Sequence, residues 1–257
     1  MLTTTKTLVL TLLASASLVF GQPTPNPFPA TAAKLAASAK GRIKVAFVLT
    51  EGAVMIDFAG PWEVFQDVMI PSRGKEMRDM HVFDLYTVSD SKKPIHASDG
   101  MQIIPDYTFD NAPQPNVVVV PAQSGQSPKM MDWLRKMAAQ SDVVMSVCTG
   151  AYQLAEAGLL KGKKATTHHD AWEDFQNHFP DAKLETNKRY VQSDGVIFTA
   201  GGLSSGIDLA LHIVELYFGR DVAESTAQMM EYEGTGWKGD GSATVKMEDG
   251  MKGMKMD

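Results

Sequence analysis

Short, almost wholly apolar runs recur along this chain, and each is followed by a stretch with helical spacing. Residues 43–50 (IKVAFVLT), 83–88 (FDLYTV), 117–120 (VVVV), 143–147 (VVMSV) and 196–200 (VIFTA) read as strands. A strand covered on one side alternates apolar with polar, whereas four successive valines leave no polar face, so both faces are expected to be buried. Residues 61–70, 128–139, 149–157, 170–178, 204–218 and 220–232 read as helices. Pro61 suits the first position of the first of them, and Gly158 stops the third. Residues 101–104 resemble an edge strand and 166–169 another short strand, while Asp194-Gly195 marks a hairpin turn. Strands alternating with helices predict an α/β fold with a mostly parallel sheet and helices on both faces.

The two ends break this pattern. Lys6 followed by apolar residues 7–20 reads as an export signal, cleaved after Gly21, and the stretch is short for a membrane span. The mature protein is therefore expected in the periplasm or secreted, with no membrane attachment. Residues 22–41 form a Pro- and Ala-rich linker, residues 42–237 the folded domain, and 238–257 a tail without periodicity that is expected to be disordered. Met247, Met251, Met254 and Met256 stand in that tail. Thioethers suit Cu(I), which raises copper handling as an alternative role; with no His or Cys beside them, an incidental presence is favoured. The net charge of -6 gives no general attraction to nucleic acid or anionic lipid, and no helix carries a basic recognition face.

Chemistry gathers where strands end. Cys148 is the only cysteine, standing between the strand at 143–147 and the helix at 149–157. Open α/β sheets bind ligands on that edge. In an oxidising compartment a single thiol is either sheltered or used. A helix N-terminus favours thiolate, so the position is expected to lower the thiol pKa; the alternative is an inert buried cysteine. The N–H groups of Thr149 and Gly150 are candidate oxyanion donors, and Gly150 permits close approach of substrate or of packed backbone.

Two other loops should converge there, residues 51–61 and residues 121–125. Asp57 lies among apolar residues, and its desolvation would raise its pKa and suit it to general acid/base work; the alternative is an N-cap for the helix at Pro61. Glu51 is the rival carboxylate. His168 or His169 could face the thiol as a base, but neighbours on a strand point to opposite faces, so only one can. They make a weak metal pair, no HExxH spacing occurs, and no metal is expected. Residues 201–206 (GGLSSG) lack the lysine of a phosphate loop and do not fit GxGxxG. We expect no cofactor, and a close-packed turn with Ser204 as N-cap.

The string from Ser146 through Cys148-Thr149-Gly150 to Thr167-His168 closely resembles the PfpI-like cysteine proteins of the class I glutamine amidotransferase-like superfamily. Residues 56–61 (IDFAGP) and 198–208 (FTAGGLSSGID) resemble them too, nearest the isonitrile hydratase branch, over about residues 43–233. The resemblance implies a flavodoxin-like sandwich with the cysteine on a strained elbow, usually in a homodimer. It implies a small-molecule substrate: Cys148 attacks the terminal carbon of R–N≡C, Asp57 handles protons, Thr149 assists, and water releases an N-substituted formamide. His168 aligns with a histidine found near the cysteine in related branches. Two departures stand out. The family has Pro-Gly-Gly where this chain has Pro121-Ala122-Gln123, so the added side chains are expected to narrow the pocket or change the turn. The branch often has Trp where this chain has His169. Many relatives carry a DNA-binding helix-turn-helix after this domain; here the methionine-rich tail follows, so transcription control is not expected. A non-catalytic small-ligand or redox-sensing module of the same fold is the competing role.

Overall fold

The computed structural model describes Leu35 and residues 41–242. The export signal at 1–21, the linker but for Leu35 and Gly41, and Met247, Met251, Met254 and Met256 lie outside the described residues. In chain order the elements are β1 (Ile43–Val48), α1 (Met55–Gln66), α2 (Met77–Met80), β2 (Phe83–Ser89), β3 (Ile95–His96), β4 (Gln102–Ile103), β5 (Tyr107–Thr108) and β6 (Val117–Val120). Then follow α3 (Pro128–Ala138), β7 (Val143–Ser146), α4 (Gly150–Glu156), β8 (Lys164–Ala165), α5 (Trp172–His178), β9 (Lys183–Leu184), β10 (Tyr190–Gln192), β11 (Ile197–Ala200), α6 (Ser205–Phe218) and α7 (Arg220–Met229).

The main sheet has seven strands in the order β10-β11-β7-β6-β1-β2-β5. All its pairings are parallel except the antiparallel hairpin β10–β11, which turns at Asp194-Gly195. The apolar runs owe their lack of polar positions to cover on both sides. Val45, Phe47, Val117 and Val119 face one core, with side chains of α1, α6 and α7. Ala46, Val48, Val118 and Val120 face the other, with side chains of α3, α4 and α5. This is the strand period of two made visible by burial on alternate faces.

Strand order reverses at β1, which has β2 on one side and β6 on the other. The crevice beyond the carboxyl ends of β1 and β6 is therefore the switch point, where an open α/β sheet presents its loops to a ligand.

Several expectations change. The first helix begins at Met55, not at residue 61, so Pro61 sits inside it and Asp57 lies in its first turn rather than capping it. Residues 101–104 do not edge the main sheet: β4 pairs with β3 in a separate hairpin, and β5 takes the edge. Residues 166–169 are not a strand, since the pairing stops at Ala165. Ser204 makes no side-chain cap to α6. Past the expected boundary at 237 the chain stays pinned to the domain, with the Arg189 N–H donating to Gly241 at 2.6 Å and Lys188 bridged to Ser242. Among the described residues no helix is long and apolar enough to cross a membrane.

Candidate active site

Cys148 sits on an elbow with φ of +57°, a left-handed conformation that costs a residue with a Cβ about 1–3 kcal/mol. Neighbouring backbone holds it there. The Cys148 N–H donates to the Gly201 carbonyl at 2.8 Å, and the Thr167 hydroxyl donates to the Cys148 carbonyl at 3.0 Å. Val147, just before it, donates to Val120 at 3.0 Å, which ties the elbow to the end of β6. Cys148 is buried, 8% exposed.

Three groups close to the sulfur favour its charged form, the Thr149 N–H, the Leu203 N–H and the Thr149 hydroxyl, although among the described residues none makes a hydrogen bond of regular geometry to it. Leu203 was not foreseen. It too has a positive φ, +47°, on the turn before α6, which brings its N–H close to the thiol. The Gly201-Gly202 pair was the only hint of this turn in the sequence. Gly150 does not supply the second oxyanion donor expected of it, because its N–H is spent on the Val147 carbonyl at 3.0 Å. Its lack of a side chain serves packing: a Cβ there would run into the Val120 carbonyl and lie 2.9 Å from Pro121.

Asp57 is wholly buried beside this elbow. Its Oδ2 accepts the Ala122 N–H at 3.1 Å. The Cys148 thiol lies close enough to favour the charged carboxyl, yet no hydrogen bond of regular geometry reaches Oδ1. Burial pushes the Asp57 carboxyl up to about 6, against the smaller opposing effects of Ala122 and Cys148. The expected direction for the thiol is reversed. Burial, and next the Asp57 charge, push Cys148 up to about 11, outweighing its three donors. Its α4 has only two turns, too little helix to compensate for desolvation. The resting pair is thus a neutral thiol next to a buried carboxyl.

Glu51 is not part of this pair; its carboxylate accepts the His96 N–H at 3.2 Å and is half exposed. Gln123 has its Nε2 buried without a hydrogen-bond partner. Its Oε1 accepts the Thr50 N–H at 2.7 Å, and its carbonyl accepts from Gln153 at 3.0 Å, so it braces the loop against β1 and α4. Ala122 is buried, with its N–H committed to Asp57.

Among the described residues no hydrogen bond joins His168 to Cys148. Its Nδ1 accepts the Asp170 N–H at 3.3 Å, and its ring packs where a Gly202 side chain would be. Burial, then His169, lowers its pKa, with Asp170 opposing. Because 166–169 is not a strand, the two rings do not point to opposite faces; they lie 4.3 Å apart, centre to centre. His168, His169 and Asp170 could together offer ligand atoms within 4.8 Å of one another. The His168 Nδ1 also caps the short turn before α5.

A thiol on a strained strand-to-helix elbow, a buried carboxyl and two N–H groups close to the sulfur fit one family. The DJ-1/PfpI family model matches residues 43–216. The chain belongs to the DJ-1/PfpI family. Among curated DJ-1/PfpI relatives, the isonitrile hydratase of Pseudomonas putida is 33% identical over 195 residues, covering 74% of this chain and 78% of that protein. The HTH-type transcriptional regulator GbdR of Pseudomonas aeruginosa is 28% identical over 74% of this chain, which spans 50% of the regulator's length. A THiJ/PfpI family protein from Pseudomonas syringae has a similar crystal structure, with a TM-score of 0.64, 26% identity, and coverage of 76% of this chain and 77% of that one. Drosophila melanogaster DJ-1beta shares the fold at a TM-score of 0.61 and 19% identity, over 74% of this chain and 98% of that one. The family thus includes an enzyme, regulators and DJ-1 proteins, on one α/β sandwich.

Proposed function

We propose that this protein is a cysteine-dependent hydratase acting on a small electrophilic substrate of the isonitrile type. One observation carries the proposal: the elbow thiol of Cys148 lies beside the wholly buried Asp57, whose Oδ2 accepts the Ala122 N–H at 3.1 Å and whose carboxyl is pushed by burial up to about 6. At neutral pH Asp57 is mostly ionised and accepts the thiol proton as sulfur attacks. An isonitrile carbon takes both the sulfur and that proton, giving a thioimidate, R–N=CH–S–Cys148. Water then adds to that carbon, and the C–S bond breaks to release R–NH–CHO, while sulfur regains its proton. The net reaction consumes one water and needs no oxidant, reductant or cofactor. The likeness to isonitrile hydratase supports the substrate class.

The test is incubation with a panel of small isonitriles, following formamide by NMR. Turnover should appear with wild type and vanish in Cys148→Ala, with the fold kept by circular dichroism; turnover surviving in that variant would refute the mechanism. Tight binding without formamide would instead favour a non-catalytic small-ligand module. A redox sensor is the weaker competitor, because oxidation needs thiolate and this thiol is pushed up to about 11. We further propose export and action as a homodimer. Purification from producing cells should give a chain starting at Gln22 and eluting at twice the monomer mass; an intact Met1 on the mature protein removes the export proposal.

A further inference from the structure

Behind the Leu203 turn lies a polar network that the chemistry above does not use. The Arg189 guanidinium forms an ion pair through Nε with Asp208, whose side chain is 1% exposed. Its Nη2 donates to the Ser204 hydroxyl at 3.2 Å. Asp208 also accepts the Tyr232 hydroxyl at 3.1 Å. The backbone of Arg189 joins the same construction, since its carbonyl accepts the Gly201 N–H at 2.8 Å, and the Gly201 carbonyl in turn accepts the Cys148 N–H. Arg189 thus grips the donor turn at two points, Gly201 before Leu203 and Ser204 after it.

The grip is backed by the end of the chain. A side chain on Gly236 would collide with Arg189 and Asp208 at 2.7 and 2.8 Å, so the segment after α7 lies directly on the ion pair. Tyr190, next to Arg189, donates to the Gly239 carbonyl at 2.7 Å. Trp237 is buried, with the Arg220 guanidinium 5.1 Å from its ring centre.

We propose that Arg189 is a positioning residue for the thiol site, holding the Gly202-Leu203-Ser204 turn so that the Leu203 N–H stays close to the Cys148 sulfur. A residue at φ of +47° relaxes unless its neighbours are held, and relaxation turns the N–H away. The donor matters most when sulfur carries charge, as an anion gains more from a hydrogen bond than a neutral thiol does. The inference builds on the proposed hydratase reading, but its test does not need turnover.

The test is the rate of Cys148 alkylation by iodoacetamide against pH, beside formamide production, in Arg189→Ala, Arg189→Lys and Ser204→Ala. We expect thiol titration in Arg189→Ala to move upward by about one pH unit, slowing alkylation about tenfold at pH 8. Lysine should restore little, since one ammonium cannot hold Asp208 and Ser204 in fork geometry. Full rescue by lysine would mean that through-space charge is the cause and would overturn the proposal. Losing one partner of a buried ion pair can unfold a protein. Ser204→Ala, which removes only the Nη2 contact, must then itself slow alkylation by about threefold or more, while keeping the wild-type melting temperature. Unchanged alkylation in a folded variant overturns the proposal, whatever the protein turns over.

Discussion

Asp57 carries two opposite consequences of one burial. Its carboxyl pKa is raised to about 6, so its ionised form is less stable in the folded chain than in the unfolded one. The sign follows: stability is greatest below the unfolded pKa and declines as pH rises through about 6. Asp57→Asn should therefore raise stability at pH 7 by about 1–3 kcal/mol, several degrees in melting temperature, and change little at pH 4. The same variant should lose about 10²-fold or more in kcat, and the rise of kcat/KM with pH through about 6 should disappear. Thermal scans at the two pH values and a pH–rate profile check both halves. The identities of Cys148 and Asp57 were legible because a lone thiol and a carboxylate among apolar residues are visible as residue types. The direction of the thiol's shift was not. It depends on how completely other parts of the chain exclude water from the sulfur, which no local pattern records.

At the scale of the element, the elbow works because α4 starts almost in contact with the end of β6. Gly150→Ala would place a methyl against the Val120 carbonyl, a backbone atom that cannot step aside. We expect a loss of about 1–3 kcal/mol or more in denaturant unfolding, with turnover falling further than stability because the elbow shifts with α4. The buried strands were legible from their apolar runs, and α3 and α6 from their spacing. The start of α1 was missed, since Pro61 looked like a first-turn residue. Helix interiors usually reject proline, which lacks the N–H donor; here α1 accommodates it within its second turn. Two-residue strands such as β8 and β9 were beyond reach, because pairs that short have no period to detect. The consequence for His168 and His169 was direct: a strand would have sent their rings apart, and the turn brings them together.

At the scale of the molecule, the last described segment belongs to the fold although it lies beyond the matched family region at 43–216. Trp237→Ala should cost about 3–5 kcal/mol, read as a lowered urea midpoint, since the indole is buried against the domain and under Arg220. A midpoint within error of wild type would show that this segment contributes nothing to the domain. The sequence by itself determined the α/β class, the succession of the main strands along the chain and the candidacy of Cys148 and Asp57, because these follow from periodicity and residue chemistry. Only the tertiary structure decided which N–H groups come close to the sulfur, that Gln123 braces a loop, and that Arg189 stands behind the Leu203 turn. Those outcomes join residues far apart in the chain, and they depend on φ, distance and excluded water, quantities that exist only once the sheet has brought its loops to one edge.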